Sequence, residues 1–119
     1  MANQTARYGL PFDPWESQGA IVKGAVKEVI EASKKYLDKS LKSISVLDVG
    51  SGHGEYSMEM AKFFDKVTGV EPFKDAYKVA IKIAKGKNLK FFNSKIEDFK
   101  TKSKFDLVTH FTVFEHMST

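Results

Sequence analysis

The sequence predicts an α/β fold, a doubly wound and mainly parallel sheet, from three observations. Short β-branched runs alternate with stretches of helical periodicity. Apolar residues in the helical stretches recur at spacings of three and four. The first strand-like run ends in a turn carrying glycine at alternate positions, Gly50, Gly52 and Gly54. Strands alternating with helices must lie parallel, because a helical crossover returns the chain to the same end of the sheet. Ligands of such sheets sit beyond the carboxyl ends of the strands, so the residues directly after each strand matter most.

Residues 1–12 are polar and then turn-like at Gly9 and Pro11, and read as an N-terminal arm. Asp13, Pro14 and Glu16 supply a capping carboxylate, a proline fit for the first helical turn and an acid three residues on, so a helix should begin there. Val22, Ala25, Val26, Val29 and Ile30 form its apolar stripe, continued by Tyr36 and Leu37, with Lys23, Lys27, Glu28, Glu31 and Lys34 on the other face. Gly19 and Gly24 each weaken a helix by about 1 kcal/mol relative to alanine, which predicts an irregular front. Residues 13–43 are thus a helix and linker ahead of an α/β core, 44–119, within one domain, 1–119.

The first strand is expected over 44–49, where Ile44, Val46, Leu47 and Val49 precede the glycines. Tyr56, Met60, Ala61, Phe63 and Phe64 make the next helical stripe, and Val67 to Glu71 the second strand, stopped by Pro72. A lysine-faced helix should run from Lys74 to Lys85, capped by Gly86, followed by a third strand at 89–93. Residues 94–104 read as a loop with one helical turn, and 105–110 as a fourth strand. Phe63, Phe64, Phe91, Phe99 and Phe105 fall where these elements should pack and are core candidates.

Composition narrows the function. With 42% hydrophobic and 29% charged residues the chain should fold rather than remain disordered. The absence of cysteine excludes a disulfide framework, a thiolate metal site and a cysteine nucleophile, and fits a cytoplasmic location. No run approaches the roughly 18 apolar residues that span a bilayer, and the first residues lack the apolar core of a signal peptide, so no membrane partner is expected. Lys and Arg exceed Asp and Glu by 19 to 15, and the excess lies between Lys74 and Lys104, where 10 lysines meet three acids. Such a segment suits nucleic acid or an anionic substrate. Lys74, Lys78, Lys82 and Lys85, however, recur at helical spacing opposite Ala76, Tyr77, Ala80, Ile81 and Ala84, so a solvated helix face accounts for most of the charge.

Two features carry chemistry. Glycines at 50, 52 and 54 leave no side chains between a ligand and the backbone. A dinucleotide fingerprint would place its third glycine where Glu55 stands, and that anion would repel a phosphate. This opposes a nicotinamide dehydrogenase, and no Gly-Lys-Ser/Thr ends the run as a nucleoside-triphosphate loop requires. The second feature is Glu71, at the tip of the second strand, where a carboxylate can accept both hydroxyls of a ribose; taken alone it also reads as a loop acid before Pro72.

The stretch VLDVGSGHGEYSMEMAKFF, with VTGVEP after it, resembles the first two motifs of class I S-adenosylmethionine-dependent methyltransferases. The likeness continues through KFFNSKIEDF and FDLVTHFTVFEHM and covers about 44–117. It implies a Rossmann-like sheet in the order 3-2-1-4, with S-adenosyl-L-methionine as cofactor. The implied cofactor residues are Asp48, Gly50, Ser51, Gly52, His53 and Gly54 around the methionyl part, Glu71 and Pro72 at the ribose, Lys95, Ile96 and Glu97 beside the adenine, and His110. Lys95 stands where the family often carries an aspartate, which leaves the Ile96 backbone or Asp98 as adenine contacts.

The residues after the fourth strand, His110, Phe111, Thr112, Glu115 and His116, would line the methyl-transfer pocket, in the manner of small-molecule and quinone-type enzymes. His110 and His116 are the candidate catalytic bases, since imidazole can take a proton from an acceptor hydroxyl; a backbone hydrogen bond is the plainer role for either. His110, Glu115 and His116 lack a recognised metal-ligand spacing, so no metal site is predicted. Tyr8, Phe12 and Trp15 lie in or beside the arm, where Tyr8 or Trp15 could cover a sulfonium by a cation to ring attraction.

Only four of the family's usual strands, about seven, are found, so the chain is expected to be the cofactor-binding portion of a longer protein. Alternatively, the bare fourth strand pairs with another chain or with a second copy. The reading is methyl transfer from S-adenosyl-L-methionine to a small-molecule acceptor. Its rivals are a non-catalytic cofactor-binding or interaction domain and a basic nucleic-acid-binding module.

Overall fold

The computed structural model describes residues 14–84 and 86–111, with side chains from residue 19. Helix α1 spans Pro14–Tyr36 without a break. Gly19 and Gly24 do not interrupt it, because nothing packs within 4 Å of either and both lie on the solvent side, while Val22, Val26 and Ile30 bury the opposite stripe. Tyr36, expected to continue that stripe, is instead exposed beside Lys35, and only Leu37 turns inward. A 3-10 turn, Leu41–Ser43, leads into β1, Ser45–Val49.

Then follow α2 (Glu55–Ala61), β2 (Lys66–Glu71), α3 (Lys74–Ile83), β3 (Leu89–Asn93), a second 3-10 turn (Ile96–Asp98) and β4 (Leu107–Thr109). The strands pair in parallel, as the alternation of strands and helices predicts, and in the order β3-β2-β1-β4, as the resemblance implies. The fourth strand is shorter than expected because Asp106 turns sideways at its start. Its carboxylate accepts the Ser45 amide at 2.9 Å and pairs with Lys39 at 2.8 Å.

Register explains the layering. Val46, Val67 and Leu89 lie in one row across the sheet, and Asp48, Gly69 and Phe91 in a row two residues further on, so all six face the same way. On that face α1, α2 and α3 pack, closing a core around Val26, Ile30, Ile44, Val46, Met60, Phe64, Val67, Ala80, Leu89 and Phe91. The opposite face carries Leu47, Val70, Phe92 and Val108; Phe92 meets the Phe99 ring at 5.3 Å, and Val108 is exposed.

Helix α3 ends at Ile83, two residues before the expected end, and Gly86, at φ +115°, turns the chain toward β3. Ala80 is its buried residue, with Ala76 and Tyr77 half-buried beside it; Ile81 is exposed. Phe63 is also exposed, since α2 stops at Ala61 and the turn that follows points Phe64 inward instead.

Candidate functional site

The turn from β1 to α2 is anchored by β2. The amides of Gly50 and Ser51 both donate to the Val70 carbonyl, at 2.8 and 3.1 Å, which draws the turn across the tip of the neighbouring strand. Two of its glycines serve different ends. Gly54, at φ +92°, sits over the Phe91 ring, and a Cβ there would lie 2.8 Å from Cζ. That glycine therefore admits an aromatic ring from below. Gly52, at φ +58°, has nothing within 4 Å of the position its Cβ would take. The outer side of the turn is open there, and any side chain would fill that opening from a strained backbone.

Glu71 ends β2 and closes the turn from the other side. Its Oε1 accepts the Gly52 amide at 2.7 Å and its Oε2 the Phe73 amide at 2.9 Å. The carboxylate is buried, and each oxygen retains acceptor capacity beyond these bonds. Asn93, paired with Glu71 in register, ties the tips of β2 and β3 together by donating to the carbonyls of Glu71 (2.9 Å) and Pro72 (3.1 Å).

Asp48 is held away from the strand tip. It shares a face with Val46, so its side chain runs under α2, where Oδ2 accepts the Ser57 hydroxyl at 2.6 Å and Oδ1 accepts the Thr109 hydroxyl at 2.9 Å. Burial raises its pKa from 3.8 to about 6, against the opposing pull of these two hydroxyls. Asp48 thus joins β1, α2 and β4. Ser51 is also buried, with its hydroxyl turned toward Gly69 and no hydrogen-bond partner.

His110 follows β4. Its Nδ1 lies 2.9 Å from the Val49 carbonyl, and its ring rests on Gly50, with Cε1 3.3 Å from where a Cβ would stand. Phe111 stacks on Tyr56 of α2 with ring centroids 4.2 Å apart.

The predicted residues thus gather at one end of the sheet around the turn: Gly50, Gly52, Glu71 and His110 directly. Pro72 and the exposed His53 flank them, and Lys95, Ile96 and Glu97 lie exposed just past β3, at the start of the second 3-10 turn. His116, Glu115, Thr112, Tyr8 and Phe12 lie outside the described residues, as do Lys85 and the side chain of Trp15. Among the described residues no three His, Asp or Glu side chains are grouped to hold a metal ion, and no helix is long and apolar enough to cross a membrane.

Four contributors escaped the sequence reading: Ser57, Gly69, Asn93 and Thr109. Alternation held a signal for two of them. Val46 must face the helices, so Asp48 must as well, and it then needs hydroxyl partners on α2 and on the adjoining strand.

A parallel sheet in this order, with a glycine turn at the first strand tip and an acid at the second, defines a Rossmann-like cofactor-binding fold. The chain belongs to the methyltransferase domain family, whose model matches residues 46–119. It is 35% identical over 83 residues to the ubiquinone biosynthesis O-methyltransferase of Pelagibacter ubique, a match covering 68% of this chain and 35% of that protein. It is 38% identical over 56 residues to the EEF1A lysine methyltransferase 2 of Mus musculus, covering 46% and 23%. The chain therefore spans about a third or less of these relatives' length. Its fold is that of magnesium protoporphyrin IX methyltransferase from Synechocystis, solved with bound SAM, at TM-score 0.60 and 19% identity over 78% of this chain and 43% of that one.

Proposed function

We propose that the turn between β1 and α2 binds S-adenosyl-L-methionine, and that the protein transfers its methyl group to a small-molecule acceptor in the cytoplasm. The observation that carries this reading is the pairing of Gly52 with Glu71: a backbone opening bounded by a carboxylate. The family match and the O-methyltransferase relative support the chemistry and the acceptor class, and the cysteine-free composition fits a reducing compartment.

When bound, the cofactor supplies an electrophilic methyl group on sulfur. The chain's own residues bind and orient. Gly52 lets the ligand lie against the backbone, and Gly50 makes room for the His110 ring beside it. Glu71 receives the ribose hydroxyls on the acceptor capacity left beside the Gly52 and Phe73 amides, and Asn93 keeps the β2 and β3 tips aligned beside it. Pro72, Lys95, Ile96 and Glu97 border the adenine, and His53 the methionyl end. Asp48 acts from beneath by joining β1, α2 and β4, and the Ser51 amide holds the turn on the Val70 carbonyl. Orientation of two reactants is the main service such a site renders.

Titration of the isotope-labelled chain with S-adenosylhomocysteine, followed through its backbone amides, tests this reading. The largest shifts should fall on Gly50, Gly52 and Phe73, with residues 78–83 of α3 unmoved. Shifts confined to α3, or none at millimolar ligand, would overturn it.

A further inference from the structure

At the end of the sheet where the strands begin, α2 and α3 leave a groove of about 350 Å³ between them. It is lined by Met58, Ala61 and Lys62 at the end of α2, Ile83 at the end of α3, and Gly86 and Asn88 in the turn into β3. The seven residues of α2 rise about 10 Å from the glycine turn to this groove, and the two share no residue. The floor is tied down, because the Asn88 side-chain amide donates to the carbonyls of Ala61 at 2.9 Å and Phe64 at 3.2 Å. Gly86 forms the turn at φ +115°, a conformation that a side chain would strain. Ile83 is 42% exposed and Val79, one helical turn back on the same face of α3, 39%, so the apolar wall continues along the helix. The charge around this strip is of one sign. Lys82 precedes Ile83 and Lys87 stands between Gly86 and Asn88; both are exposed and, among the described residues, neither forms an ion pair. Lys62 pairs with Glu59 at 2.9 Å, yet its ammonium keeps two further donors. Lys42 adds another cation at the end of α2, where its Nζ donates to the Lys62 carbonyl at 3.1 Å.

We propose that this groove is a second ligand site, independent of the cofactor reading, and that it takes an aliphatic carboxylate. The hydrocarbon chain lies between Met58 and Ile83, and the carboxylate meets Lys62 and Lys87 at the mouth. The volume is that of a small-molecule site, apolar in its body with a few charged groups that fix orientation. Each half of such a ligand answers one half of the groove. A cationic amphiphile would cover the apolar strip but face like charge, and a short carboxylate would meet the lysines but leave the strip in water. A polyanion such as nucleic acid would do the same, which is why the amphipathic anion fits best.

The test is a titration of the isotope-labelled full chain with octanoate, followed through its backbone amides. Shifts should saturate and gather on Met58, Ala61, Lys62, Ile83, Gly86 and Asn88, with Gly50, Gly52 and Glu71 unmoved. Octyltrimethylammonium should bind about tenfold more weakly than octanoate, and acetate should give no saturable shift. The double variant Lys62→Glu with Lys87→Glu should weaken octanoate about tenfold through lost and reversed charge. Ile83→Asp should weaken it by about the same factor through lost apolar contact. All three positions are exposed, and circular dichroism verifies that both variants fold. No saturable shift at millimolar octanoate, shifts centred on the glycine turn, equal affinity for the cationic amphiphile, or folded variants that bind octanoate as the wild type does would each overturn the proposal. A single-stranded oligonucleotide that shifts these amides where octanoate does not would overturn it as well, by assigning the lysines to a polyanion. None of these outcomes bears on S-adenosylhomocysteine binding at the glycine turn.

Discussion

Gly52 and Glu71, nineteen residues apart, are joined by a 2.7 Å hydrogen bond from the glycine amide to the carboxylate. The bond closes the first crossover onto the tip of the second strand and makes the turn and the acid one unit. Gly52→Val should disturb that unit in two ways, by straining a backbone at φ +58° and by filling the open side of the turn. Calorimetry with S-adenosylhomocysteine should show binding lost in Gly52→Val, while Gly24→Ala, on the exposed face of α1, keeps it.

Asp48 makes stability depend on pH. Its carboxyl titrates at about 6 in the folded chain against 3.8 ordinarily, so the fold favours the protonated form. The resulting stabilisation is full below 3.8 and is lost as pH rises through 6, a swing of about 3 kcal/mol at most. Urea unfolding at several pH values should show this decline in the wild type, superimposed on the other carboxylates. Asp48→Asn should remove that component and be the more stable of the two relative to its own value at low pH.

Gly69 and Phe91 are neighbours across β2 and β3. A Cβ on Gly69 would come within 2.6 Å of the Phe91 ring and 2.8 Å of Ser51 Oγ, so Gly69→Ala should destabilise by about 1–3 kcal/mol through overpacking. Phe91→Leu should recover part of that loss in the double variant, read as a coupling energy in a double-mutant cycle.

Ser51 has a buried hydroxyl with no partner, so little is lost by removing it. Ser51→Ala should change unfolding free energy by less than about 1 kcal/mol, whereas Ser57→Ala, which strips a donor from buried Asp48, should cost about 1–3 kcal/mol.

These contrasts show how far the sequence could be read. Three of the strand spans followed, to within a residue, from apolar runs and glycines, because a buried parallel strand between crossovers has a strong local pattern, whereas the strand order came from the resemblance to the methyltransferase family. The turn and Glu71 were legible for the same reason, since each directly follows a strand. What alternation within one strand does not disclose is which side chain on another strand meets it. Gly69 looks like any strand glycine until register puts Phe91 over it, and Gly54 reads as a ligand-facing glycine although Phe91 lies beneath it. Asp48 sits in a motif where an acid suggests a ligand, yet its parity with Val46 sends it inward to Ser57 and Thr109. Tyr36, Phe63 and Ile81 matched a helical stripe but fall at or beyond helix ends, or at the stripe's margin, where exposure is decided by where the helix stops.

The central claim is that Glu71 grips the sugar of an adenosyl ligand at the glycine turn. Calorimetric titration of S-adenosylhomocysteine into the wild type and Glu71→Ala, both verified as folded by circular dichroism, tests it most directly. Loss of hydrogen bonds to a charged acceptor should weaken affinity by about tenfold to a hundredfold. Equal affinity in the two folded proteins would contradict the account.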